Sequence, residues 1–105
     1  MTPMDVDDPR LPAFTEALRG VAAIISRKLA ADGEGATKLL TIQITGAPTQ
    51  ADATLIAGAI AKSPLCKTAA YGKDANWGRL LTAAGYSGAE FDPEKVDCFI
   101  GDLEV

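Results

Sequence analysis

The residue in this chain best suited to chemistry is Glu34. It stands in Asp-Gly-Glu-Gly-Ala-Thr-Lys, residues 32–38, with a glycine on each side. Paired glycines let backbone or a ligand approach closely, and they remove side chains that would screen a carboxylate. A loop joining two regular elements is also a frequent home for binding residues. A carboxylate held this way can bind a cation, such as the ammonium group of an amino acid. The plainer alternative is a solvated loop glutamate, and the residue types alone do not separate the two.

Other candidate chemistry is weaker. A phosphate loop needs GxxxxGK(S/T) between a strand and the helix that follows it. Here a helical pattern comes first, a strand pattern follows, and the spacing fails. Gly-Tyr-Ser-Gly-Ala at residues 85–89 approaches a GxSxG nucleophile elbow, but it ends in alanine and the chain has no histidine to activate Ser87. That lack removes every Ser-His and Cys-His mechanism. Cys66 and Cys98 lie far apart and form no CxxC pair, so both read as small apolar residues in a reducing compartment. Asp92, Glu94, Asp97, Asp102 and Glu104 show no metal-ligand spacing and read as a solvated face. Asn76-Trp77-Gly78-Arg79 sets the one tryptophan between two fork-like hydrogen-bonding side chains, which suits a structural lock.

The elements that must position these residues follow from pattern. The chain has 105 residues, 48% apolar and 23% charged, with a net charge of −4, an ordinary globular composition for a single or partial domain spanning 1–105. With no basic block, nucleic acid and anionic membrane are not expected partners. The acidic start, Met-Thr-Pro-Met-Asp-Val-Asp-Asp-Pro-Arg, has no apolar core of a secretory signal, and no run of about 18 apolar residues exists to span a bilayer. A soluble, cytoplasmic protein is expected.

Leu11, Phe14, Leu18, Val21, Ile25 and Leu29 recur at helical spacing, with Pro9 or Pro12 in the first turn and Gly33 as the stop. Residues 39–45 alternate as a half-buried strand. Thr49 and Asp52 have capping-box spacing for a helix that runs to Lys62 and ends at Ser63-Pro64. Leu65–Tyr71 reads as a strand, Asn76–Ala84 as a helix capped by Asp74, and Val96–Ile100 as a final strand. The alternation predicts an α/β fold with helices packed on a mixed sheet.

Three stretches together are similar to one family: residues 32–47 (DGEGATKLLTIQITGA), 61–79 (AKSPLCKTAAYGKDANWGR) and 83–88 (AAGYSG). In this order and spacing they resemble the ornithine acetyltransferases, the bifunctional glutamate N-acetyltransferases of arginine biosynthesis. The resemblance runs from about Pro12 to Gly88 and fades in the acidic tail. It implies part of a layered α/β fold and a precursor that cuts itself between alanine and threonine. The freed threonine carries acetyl from N-acetylornithine to glutamate, with no metal or other cofactor, and α and β chains pair as dimers of heterodimers. It also implies that Glu34 contacts the substrate, holding an amino-acid ammonium. The nucleophilic threonine and the oxyanion-hole pair have no counterpart: Ala36-Thr37 lies inside the GATK motif, and Ala53-Thr54 falls mid-helix. On this resemblance the chain is an internal piece of a β chain, with Met1 an alternative start or the edge of a truncated gene. It should be inactive without the missing α-chain and β-chain segments. A free-standing α/β interaction module built on the same scaffold is the other reading.

Overall fold

The computed structural model describes residues 2–105. The chain divides into two compact units, residues 1–39 and 40–105.

The first unit is built on one long helix, α1 (Leu11–Ala31). Pro12 sits in its first turn, where a missing N–H costs nothing. Before it, Asp8 accepts hydrogen bonds from the Arg10 backbone and guanidinium, with a 2.6 Å ion-pair contact to Nη2. That bonding holds the Asp8 carboxyl below the usual carboxylate range. Lys28 lies in the last turn, where its charge complements the helix dipole. Along the predicted apolar face, Phe14, Leu18, Val21, Ile25 and Leu29 are all exposed, Leu29 at 71%.

The second unit contains three helices, α2 (Gln50–Lys62), α3 (Pro64–Tyr71) and α4 (Trp77–Gly85), then a 3-10 turn at Pro93–Lys95. A two-residue antiparallel pair closes it, β1 (Phe99–Ile100) against β2 (Leu103–Glu104). Thr49 caps α2 as expected, accepting from Asp52 N–H at 3.0 Å, while Asp52 Oδ2 accepts from the Thr49 hydroxyl at 2.6 Å instead of closing the capping box on the Thr49 backbone. The buried apolar residues are Ile56, Cys66, Ala69, Ala83 and Ala84, mostly small, so the helices meet through alanine contacts rather than bulky interdigitation. α2 packs on both α3 and α4.

Four expectations are corrected. Leu65–Tyr71 is helix α3, not a strand. Ser63, itself buried, caps α3 by accepting from Cys66 N–H at 3.3 Å, and Pro64 occupies the first helical position. The Ser-Pro pair that stops α2 therefore also starts α3. Residues 39–45 form no strand, although Ile42 and Ile44 are half-buried while Thr41, Gln43 and Thr45 are exposed. The α4 cap is Asn76, whose Oδ1 accepts from Arg79 N–H at 3.3 Å; Asp74 instead accepts from the Asn76 side-chain amide at 3.2 Å. The last strand shrinks to Phe99–Ile100, and the two-stranded hairpin is the only sheet among the described residues. Both helix and strand are present, but among the described residues no mixed sheet lies under the helices.

The α3 terminus yields a stability prediction. Gly72, Lys73 and Asp74 N–H groups bond back to Thr68, Ala70 and Ala69 carbonyls, a Schellman arrangement. Lys73 holds the left-handed position, φ +58°. A side chain there costs about 1–2 kcal/mol, which glycine avoids. Glycine loses more chain entropy on folding, so Lys73→Gly should raise unfolding free energy by about 0.5–1 kcal/mol. A urea titration showing a lower midpoint would contradict this.

Candidate functional site

Glu34 lies on a tight turn that the sequence dictates. Helix α1 ends at Ala31, with Asp32 as its cap, and the Asp32 N–H bonds to the Lys28 carbonyl at 3.0 Å. Ala36 N–H then donates to the Gly33 carbonyl at 2.9 Å, closing a β-turn over residues 33–36. Gly35 has φ +71°. It occupies the third position of that turn, which a type II turn reserves for glycine. Gly33 is not among the positive-φ residues, so the expected left-handed helix stop at Gly33 is replaced by a turn that begins there. This accounts for the second glycine through backbone geometry.

Glu34 is left as the second residue of the turn, exposed to solvent. A Cβ added at Gly35 would meet nothing within 4 Å, so the space beside the Glu34 backbone is open. Lys38 reaches back so that its Nζ lies 3.4 Å from Thr37 Oγ1. The arrangement presents one carboxylate on a hydrogen-bonded turn, with room beside it and a lysine four residues on. Chemically it suits capture of a cationic group. It contains no nucleophile and no acid–base pair.

The other marked residues lock the second unit together. Arg79 Nη1 donates to the Leu65 carbonyl at 3.0 Å and to Thr68 Oγ1 at 3.3 Å, and the Cys66 thiol donates to the Arg79 carbonyl at 3.4 Å. These bonds tie α3 to α4 in both directions, so the Asn-Trp-Gly-Arg stretch acts as a structural lock. Ser87 Oγ accepts from Ala89 N–H at 3.2 Å beside Gly88, whose φ is +82°, and serves a turn. Asp92 caps the 3-10 turn and pairs with Lys95 at 3.2 Å. Among the described residues no group of three His, Cys, Asp or Glu is placed to hold a metal ion, and no helix is long and apolar enough to cross a membrane. Burial raises the Cys98 thiol above its ordinary value, so it stays protonated at neutral pH. Sequence reading missed the link from Asp52 Oδ1 to Glu90 N–H, 3.4 Å across 38 residues, and no local pattern could have shown it.

Comparison with known proteins supplies the lineage. The ArgJ family model matches residues 2–105. This chain belongs to the ArgJ family. The resemblance read from the three sequence stretches is thereby borne out. The arginine biosynthesis bifunctional protein ArgJ of Symbiobacterium thermophilum is 50% identical over 93 residues, which is 89% of this chain and 23% of that protein. The glutamate N-acetyltransferase of Methanosarcina acetivorans is 51% identical over 86 residues, 82% of this chain and 22% of that one. A crystal structure of the ArgJ protein of Bacillus halodurans superposes with a TM-score of 0.89 at 40% identity, covering 99% of this chain and 49% of that one. The chain thus spans under a quarter of those two curated ArgJ relatives and about half of the crystallised ArgJ chain.

Proposed function

We propose that this chain is one part of an acetyltransferase that moves the acetyl group from N-acetylornithine to glutamate, within the layered ArgJ fold. In that enzyme Glu34 holds the ammonium of the amino-acid substrate. The observation that carries the reading is the Glu34 turn: an exposed carboxylate, clear space at Gly35, and a backbone fixed by the Gly33–Ala36 hydrogen bond, inside the stretch that matches the family. The relatives' names support the reading in part, arginine biosynthesis for one and glutamate N-acetylation for the other, and the acetyl donor is what the family resemblance implies.

The chain has no counterpart of the nucleophilic threonine, so the 105 residues alone should not turn over. Incubating the purified chain with N-acetylornithine and glutamate and following N-acetylglutamate checks this, and measurable product refutes it. The role of Glu34 is tested in a graft, in which the full-length Symbiobacterium relative carries this chain in place of its own matching segment. The fragment reading is favoured over a self-sufficient interaction module by the small alanine-rich core beside many exposed large apolar side chains, among them Leu18, Ile25 and Leu29.

A further inference from the structure

Helix α1 runs for 21 residues and buries none of them. In proteins a helix gains most of its stability from packing an amphipathic face, not from propensity. Gly20 inside α1, with the β-branched Val21, Ile24 and Ile25, lowers its own propensity further. Its apolar residues are spaced for a helical partner. Leu11, Phe14, Leu18, Val21 and Ile25 advance by alternate steps of three and four, the 3.5-residue repeat of a coiled-coil seam. The positions that flank this seam are Thr15, Ala17, Ala22, Ile24 and Leu29, uncharged throughout. Glu16, Arg19 and Arg27 take the outer positions.

We infer that α1 is a docking surface for the α1 of a second copy of this chain, the two helices running antiparallel. Phe14, Leu18, Val21, Ile24, Ile25 and Leu29 are 41% to 71% exposed. They leave roughly 600 Å² of apolar surface per copy. A pair covers about 1,200 Å², the lower end for a specific interface, so a dimer of modest affinity follows. Charge decides the orientation. Lys28 continues the seam beyond Ile25, and parallel helices set the two Lys28 ammoniums against each other. Antiparallel helices pack Phe14 on Ile25 of the second copy and Leu18 on its Val21. Lys28 then lies over Leu11 of the second copy, beside the acidic approach that holds the exposed Asp5 and Asp7. Opposed helix dipoles favour the same arrangement. The inference is independent of the acetyl-transfer reading.

Sedimentation of the whole 105-residue chain, with helicity followed by circular dichroism, tests this. A reversible dimer with Kd below about 100 μM is expected, and helicity should fall on dilution through that range. Leu18→Glu places a charge in the seam of both copies and should weaken association by about 100-fold or more. Glu16→Gln, on the outer face, should leave it unchanged. A chain that stays monomeric up to about 1 mM overturns the inference. So do a dimer that Leu18→Glu leaves intact and growth into larger aggregates. Orientation is read by cross-linking in a Cys98→Ser background. Phe14→Cys chains should form a disulfide with Ile25→Cys chains, and Ile25→Cys chains that link to each other instead show parallel helices and overturn it.

Discussion

Glu34→Gln in the graft should raise KM for the amino-acid substrate about tenfold. Glutamine keeps the size and the hydrogen-bond acceptor but removes the negative charge. A charge-assisted hydrogen bond to an ammonium contributes about 1.5–3 kcal/mol, equivalent to about 10- to 150-fold in affinity. Glu34 is solvent-facing, so water and salt weaken the attraction and the lower end applies. In N-acetylornithine the free ammonium is on the side chain, away from the acetylated α-nitrogen, so for that substrate ground state and transition state should lose the contact alike, leaving kcat nearly unchanged. Glu34→Asp keeps the charge on a shorter arm and should fall between. Initial rates at varied substrate concentration decide the matter, and an unchanged KM together with an unchanged kcat would remove Glu34 from the site. Replacing Gly35 by alanine is a separate perturbation: it strains φ +71° and displaces the turn without touching charge.

Ala83→Leu should destabilise the second unit by about 1–3 kcal/mol, the usual cost of forcing extra methylenes into a packed interior. Ala83 is fully buried, at 0% exposure, on a helix that packs closely against α2. The buried apolar residues of this unit are mostly small, and none of its large residues is fully buried, so the interior has little bulk that can give way. Domains of this size have stabilities of about 5–15 kcal/mol, so such a loss is a large share. Trp77, at the start of α4, provides a fluorescence signal for urea unfolding. An unchanged midpoint would mean that the α2–α4 contact is loose and that the alanines are there for another reason. Loss of stability with retained substrate binding in the graft would separate this packing role from the chemistry on the Glu34 turn.

The two predictions draw on features of different legibility. The Glu34 turn could be read almost entirely from the chain, because turns are local: Gly-Glu-Gly-Ala carries its own hydrogen bond and its own positive-φ residue. The residues pointed to a loop with Gly33 as the helix stop, whereas the turn begins at Gly33, Gly35 holds the positive φ, and no strand follows directly. The α2 cap was equally plain, since Thr49 satisfies the Asp52 amide from within one turn. Leu65–Tyr71 was harder. Ser63-Pro64 is a stop for the helix before it and a start for the helix after it, and only the packing of α3 against α2 and α4 shows that both meanings apply. The Arg79 bonds to Leu65 and Thr68 join residues 14 and 11 positions apart, beyond any local pattern.

By itself the sequence determined the family, the long first helix, the Glu34 turn and the absence of a histidine mechanism. Each depends on residue identity or on spacing within a few residues. Tertiary structure decided which apolar segments obtained partners. Alternation at 39–45 specifies which side chains face inward, but a strand exists only when a second one supplies its hydrogen bonds. That partner is not encoded in the segment's own pattern. Residues 40–45 therefore have the face of a strand without the ladder.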